Sequence, residues 1–373
     1  MSGFYIKATW SYRVLSFLGK SLTIWPLDRG QSKGLGLLLN CFWWFYLLNY
    51  VAILVPTLYG LYINRRNIVS ASYSWIESTV FTEATAVMIF SRWQRSRLES
   101  LFRLAEKQLA VKKRRVVRFY ANYYAIVYLA TLAFYVCVVM MYIILEKPKT
   151  GNNELALSAS YPFRLEDNPI KWLLWVNQAI VFVHAYIVAN FDGIAVFLIF
   201  TCTDRLKQLD KHFRDSRSYE HLVACVREHN DVLALIKDTN RILRFMVLKT
   251  TAFFMSYVFG AGLQILNNTA QTVMIHQISI LFLAYARLYL CAESANNMSA
   301  AGRDIAMTVY STSWYDETPK MSTAKTIIIQ KCQREPVICV SGLMSALDRR
   351  YLRGIFSATI SYLMTLRTIV GSK

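Results

Sequence analysis

The stretch Arg349 to Lys373 reads RRYLRGIFSATISYLMTLRTIVGSK, and its reading decides the fold class. As a helix it is long enough to cross a hydrocarbon core of about 30 Å. Its polar residues are not scattered. Ser357, Ser361, Thr365, Thr368 and Ser372 follow at steps of four, four, three and four, so a helix brings all five to one face. Lipid offers such a face nothing, whereas a partner helix or a column of water does. Small hydroxyl residues also allow close packing of membrane helices, so a packing face and a water-facing wall are both open readings at this point.

Working outward, the whole chain shares this apolar character. Of its 373 residues 55% are hydrophobic and only 17% charged, with a mean hydropathy of +0.30, which excludes an ordinary soluble globule. The expected class is an all-α polytopic membrane protein. Lys7, Arg13, Lys20, Arg29 and Lys33 precede the first long apolar run, so no cleavable signal peptide is expected. The net charge of +19 lies beside apolar segments, where topology and anionic lipid headgroups account for it, and no nucleic acid is expected as a partner.

Seven spans are expected, at 35 to 63, 69 to 91, 119 to 145, 172 to 202, 246 to 266, 272 to 292 and 349 to 371. A further apolar piece, Thr326 to Leu347, is interrupted by Lys331, Arg334, Glu335 and Pro336 and is expected to be the cytosolic first half of the last helix. On this division 29 Lys and Arg fall in the tail and even loops and seven in the odd loops and C-terminus. The positive-inside rule then puts the N-terminus in the cytosol and the C-terminus outside. That orientation argues against a G-protein-coupled receptor.

The resulting organisation is a cytosolic segment at 1 to 34, transmembrane helices one to six at 35 to 292, a cytosolic anchor region at 293 to 348 and a seventh helix at 349 to 373. Residues 92 to 118 and 203 to 249 read as helices extended into the cytosol, where Leu222, Val226, Leu233 and Ile236 can form one apolar stripe of an anchor bundle.

Chemistry-bearing motifs are sparse. There is no P-loop, nucleophile elbow or HExxH, so no enzyme is expected. Seven cysteines without a CxxC pair argue against a disulfide framework. His221, Cys225 and His229 share a helix face but lack a fourth ligand, so neither metal nor other cofactor is expected. Gly260-Ala261-Gly262 reads as close helix packing. Glu77, Glu83, His184 and Asp192 are the ionisable residues expected within spans, where such groups face the bundle interior.

Several landmarks then coincide. Tyr161-Pro162-Phe163 and Asn168-Pro169 stand before Trp172, and Cys225 and His229 form a C-x-x-x-H element. Tyr310 with Trp314-Tyr315, Gln333 to Val337, Leu347 to Leu352 and Ser361-Tyr362-Leu363 complete the series. In this order and spacing the chain resembles an insect odorant receptor of the odour-tuning kind over residues 161 to 373. Tyr351-Leu352, where the family usually has Phe, and Arg367 in the last helix depart from the pattern.

The resemblance implies an odorant-gated, nonselective cation channel in the plasma membrane of olfactory neurons, a tetramer with the odorant co-receptor. Its partners would be a small volatile ligand, membrane lipid and permeant cations. Ser357, Ser361, Thr365, Thr368 and Ser372 would line the pore, with Thr365 and Thr368 toward the outer constriction. The family places the odorant cavity among spans two to six. In their outer halves stand Tyr73, Ile76, Glu77, Val80, Tyr135, Val138, Val139, Tyr142, Asn177, Val181, Phe182, Phe259, Leu263, His276 and Ile280, an apolar and aromatic set with few polar groups. The related gustatory receptors are the runner-up. A secondary transporter is third, lacking the expected pseudo-repeats and broken helices.

Overall fold

A computed structural model describes residues 17, 19 to 20, 23, 33 to 109, 126, 129 to 130, 133, 137, 157, 159 to 163, 168 to 267, 271 to 312, 317 to 340 and 346 to 371. Helix α1 (Lys33–Ile63) leads through a 3-10 turn (Asn64–Arg66) to α2 (Ile68–Trp93) and α3 (Arg95–Leu109). After the third expected span come α4 (Asn168–His184), α5 (Ile187–Arg214), α6 (Tyr219–Asn267), α7 (Gln271–Tyr310), α8 (Pro319–Cys332) and α9 (Arg349–Gly371). Of the span expected at 119 to 145 only Ile126, Leu129, Ala130, Ala133 and Cys137 are described, all helical; the rest lies outside the described residues.

Local chemistry sets several boundaries. Asn67 caps α2, its side-chain oxygen accepting from the Val69 and Ser70 amides at 3.1 and 3.2 Å, which satisfies two of the donors a helix start leaves open. Helices α6 and α7, with 49 and 40 residues, are about 74 and 60 Å long at 1.5 Å per residue. Both therefore overrun the bilayer; in α6 the excess falls in the extension expected at 203 to 249, whereas the continuation of α7 to Tyr310 was not expected from sequence. Among the described residues, four helical stretches, Gly34–Arg66, Pro169–Arg214, Tyr219–Asn267 and Val273–Tyr310, are long and apolar enough to cross a membrane.

In the extension, Leu222, Cys225, His229, Val232 and Ile236 of α6 are buried against a core that also holds Leu206, Leu209 and Phe213 of α5, Ile305 and Val309 of α7 and Ile328 and Cys332 of α8. Val232, not Leu233, occupies the buried register. Of the three residues placed on one helix face, His221 is exposed, while His229 turns its Nε2 to Cys332 Sγ at 3.9 Å.

Two expectations need correction. The 326 to 347 segment is not the first half of the last helix, because α8 ends at Cys332 and Gln333 to Val340 runs without helix. Pro336 explains this, since it cannot donate a helical hydrogen bond and it drives its predecessor out of the helical region. The extended segment is strapped to α7: Ser299 Oγ donates to the Pro336 carbonyl at 2.8 Å and Arg303 pairs with Glu335 at 2.6 Å.

The fourth span is also not continuous. It breaks at Ala185–Tyr186 between α4 and α5 with no Pro or Gly at the break, so tertiary contacts impose it. His184 stacks on Tyr46 of α1 at 3.7 Å between centroids, and its Nδ1 is hydrogen-bonded to the Tyr50 hydroxyl at 3.0 Å. A broken helix was expected only of a transporter.

Candidate functional site

Four charged side chains meet inside the bundle. Lys249 Nζ of α6 donates to Glu83 Oε1 of α2 at 2.9 Å and to Asp192 Oδ1 of α5 at 3.1 Å. Arg287 of α7 reaches the same two carboxylates, Nη2 to Glu83 Oε1 and Nε to Asp192 Oδ2, each at 2.6 Å. Tyr257 and Thr250 of α6 complete the set, donating to Glu83 Oε2 at 2.9 Å and Asp192 Oδ1 at 3.2 Å.

Taking four charges out of water is costly, and only mutual pairing with filled hydrogen bonds makes the arrangement tenable. Two carboxylates against two cations leave the cluster balanced. Glu83 and Asp192 were expected to face the interior; Lys249 and Arg287 were counted with the cytosolic loops, and this is corrected here. Removing them from that count leaves the direction of the charge asymmetry unchanged. The missed signal was vertical matching: each cation sits within an apolar run at the depth of an acidic residue on another helix.

Above the cluster lies a cavity of about 80 Å³, lined by Val80 and Glu83 of α2, Ala185 and Tyr186 at the helix break, Val188 and Ala189 of α5, Tyr257 of α6, and Ile280, Leu283, Ala284 and Arg287 of α7. Its walls are aliphatic side chains with the rings of Tyr186 and Tyr257 among them, and its charged lining residues, Glu83 and Arg287, belong to the cluster, the arrangement of a small-molecule site. Ala185 and Tyr186 at the break share one face with Val188 and Ala189 of α5, at the i, i+1, i+3 and i+4 spacing of a helical surface.

Of the residues expected around a ligand cavity, Val80 and Ile280 line this one. Tyr135, Val138, Val139 and Tyr142 lie outside the described residues. Ile76 instead packs on α6, where a Cβ on Gly260 would approach its Cγ1 to 2.6 Å. Asn177 donates to Asn49 of α1. Val181 is fully buried and Phe182 packs against the core. Phe259 is 42% exposed and sits between Trp75 and Tyr362. Leu263 is buried, while Tyr73, Glu77 and His276 are half-buried, the last beside Gln277. The cavity thus sits one to two turns further along α2 and α7 than expected.

The last helix shows two faces. Leu352 and Ile355 are buried, Leu363 and Leu366 lie against Gly262 of α6, and Phe356 contacts Tyr285 of α7. Ser357, Ser361, Thr365 and Thr368 are exposed; Ser372 lies outside the described residues. At about 100° per residue the hydroxyls centre roughly opposite the buried side chains. Thr365 and Thr368 donate to their own helix, to the Ser361 and Thr365 carbonyls at 2.9 and 2.7 Å, so they need no partner from this chain.

The sequence profile of the 7tm odorant receptor family matches residues 64–346. The chain belongs to that family. The match decides between the odorant and gustatory readings, and it identifies a receptor of olfaction, not an enzyme. No curated protein matches this odorant receptor by sequence. Its fold is similar to that of the insect olfactory receptor OR5 from Machilis hrabei, with a TM-score of 0.79 at 14% identity over 96% of this chain and 97% of that one. OR5 in complex with eugenol gives the same TM-score at 13% identity, over 96% and 98%. At such identity the likeness establishes the seven-helix membrane fold of this odorant receptor, and no residue's role follows from it.

Proposed function

We propose that this odorant receptor is the odour-tuning subunit of an odorant-gated, nonselective cation channel, assembled as a heterotetramer with co-receptor subunits in the plasma membrane of olfactory neurons. Residues 1 to 34 and 293 to 348 face the cytosol, and 349 to 373 contribute one wall of the pore. The observation that carries the reading is α9, which lays Leu352, Ile355, Leu363 and Leu366 toward its own bundle and leaves the hydroxyl stripe, with Ile360 and Met364 beside it, for water or for other subunits. Hydroxyls replace part of an ion's hydration without fixed charge, which suits weak selectivity.

The buried cavity supplies the gating site. A ligand that binds the open form better shifts the equilibrium, and moving a gate from mostly shut to mostly open takes about 5.5 kcal/mol of differential binding. The OR5 complex with eugenol gives a solved example of this fold holding a small molecule.

Whole-cell recording with and without the co-receptor tests the proposal. The expected result is an odour-evoked cation current that persists when G-protein signalling is removed. A surface-expressed complex that stays silent across a broad odour panel overturns it.

A further inference from the structure

We propose that the cavity selects uncharged, short-chain carbonyl compounds, aldehydes first, because its charged end presents spare hydrogen-bond donors while its carboxylate acceptors are already filled. The inference rests on the odorant-gated reading and names the ligand class of that same site.

The donor and acceptor inventory carries it. A carboxylate oxygen takes about two hydrogen bonds. Glu83 Oε1 receives Lys249 and Arg287, and Oε2 receives Tyr257 and the longer 3.4 Å contact from Arg287 Nη1. Asp192 Oδ1 receives Lys249 and Thr250. One lone pair remains, on Asp192 Oδ2 beside its bond from Arg287 Nε, and Asp192 does not line the cavity. The donor side is different. A guanidinium carries five N–H groups; among the described residues Arg287 uses one on each of its three nitrogens, which leaves one on each terminal nitrogen of a side chain that lines the cavity.

What fits follows from chemistry. An aldehyde oxygen accepts from Arg287 and brings no donor of its own. An alcohol accepts equally, but among the described lining residues its hydroxyl hydrogen meets the weaker phenol oxygens of Tyr257 and Tyr186, and a buried donor poorly matched is penalised. An alkane leaves the guanidinium as it was and gains only the walls. A protonated amine adds a third positive charge to a balanced cluster that, among the described residues, has no free carboxylate at the cavity, so it is excluded. Size sets the chain length, because about 80 Å³ is well below the roughly 300 to 1,000 Å³ of sites for drug-sized ligands.

One carbon skeleton tests the order. Full-length receptor with the co-receptor is challenged with propanal, propanol, propane and propylamine, and concentration-response currents are recorded. Propanal is expected to be about tenfold more potent than propanol and propane, the ratio one hydrogen bond supplies, with propylamine silent. Equal potency of propane and propanal, or activation by propylamine, overturns the ligand class. Tyr257→Phe frees a Glu83 lone pair at the cavity and is expected to move the propanal-to-propanol ratio about tenfold toward propanol; a properly expressed variant with an unchanged ratio overturns the role given to the filled carboxylate. Melting of the purified receptor separates the two layers of inference. Stabilisation by propanal but not propane, without current, upholds the ligand class and overturns the channel reading. Currents to other odorants without this order do the reverse.

Discussion

At the scale of single residues, the four buried charges are the feature with the largest consequences. Removing one member leaves an uncompensated charge in a low-dielectric interior, which costs about 3 to 5 kcal/mol. Lys249→Met is therefore expected to lower the melting temperature of the purified receptor and its surface expression. Combining it with Glu83→Gln restores balance, with Arg287 and Asp192 still paired at 2.6 Å, so the double variant is expected to lose less than the two single losses added together. Strict additivity in thermal melting would show that the groups do not act as a unit. A second residue-scale expectation concerns His229, buried in the long extension of α6. Burial, and then the positive charge of Lys331, hold its imidazole below the usual pKa of 6.5. The unfolded chain then takes up a proton that the folded one refuses, so this contribution to stability is present at neutral pH and is lost as pH falls below about 6.5, by at most about 1.4 kcal/mol per unit. Melting curves at pH 7.5 and 5.5, compared with His229→Gln, read the difference; an equal acid sensitivity in the variant would remove His229 from the account.

Elements were legible in sequence where one signal dominates. The apolar runs gave α1, α2, α6 and α7 because a bilayer demands length and apolarity from each span separately. The α4–α5 break was not legible, since no residue in it disfavours helix; the Tyr46, Tyr50 and His184 contacts that impose it lie 134 to 138 positions apart in sequence. The Lys249 and Arg287 pairings were missed for the same reason: a charge near the end of a span reads as a loop residue until another helix brings it a partner. The strap after α8 was half legible, as Pro336 announced a stop but not where the chain would go. It goes onto Gly302, where an added Cβ would collide with the Pro336 ring. Because the ring is rigid and is held by the Ser299 and Arg303 contacts, Gly302→Ala is expected to push the strap off α7 and cost about 1 to 3 kcal/mol. Hydrogen exchange localised to 333 to 340 checks it, and unchanged protection there would mean the strap yields without strain.

For the whole molecule, the question is what the exposed stripe of α9 meets, and a single chain cannot answer it alone. Its own bundle occupies the opposite face through Leu352, Ile355, Leu363 and Leu366, so the hydroxyls either touch partner subunits tightly or border water between them. The two cases differ in access. Ser361→Cys and Thr365→Cys, expressed with the co-receptor, are expected to lose most of their odour-evoked current on exposure to a charged methanethiosulfonate, because a pore wide enough for cations admits the reagent and the attached charge obstructs it. Leu363→Cys, which points at α6, is the matched control and is expected to be unaffected, while the unaltered chain measures any contribution from its native cysteines. If the stripe were a dry contact between subunits, the reagent would not reach it. Current unchanged at both stripe positions, in channels that still respond to odour, would assign those hydroxyls to packing and leave the pore to residues of other helices.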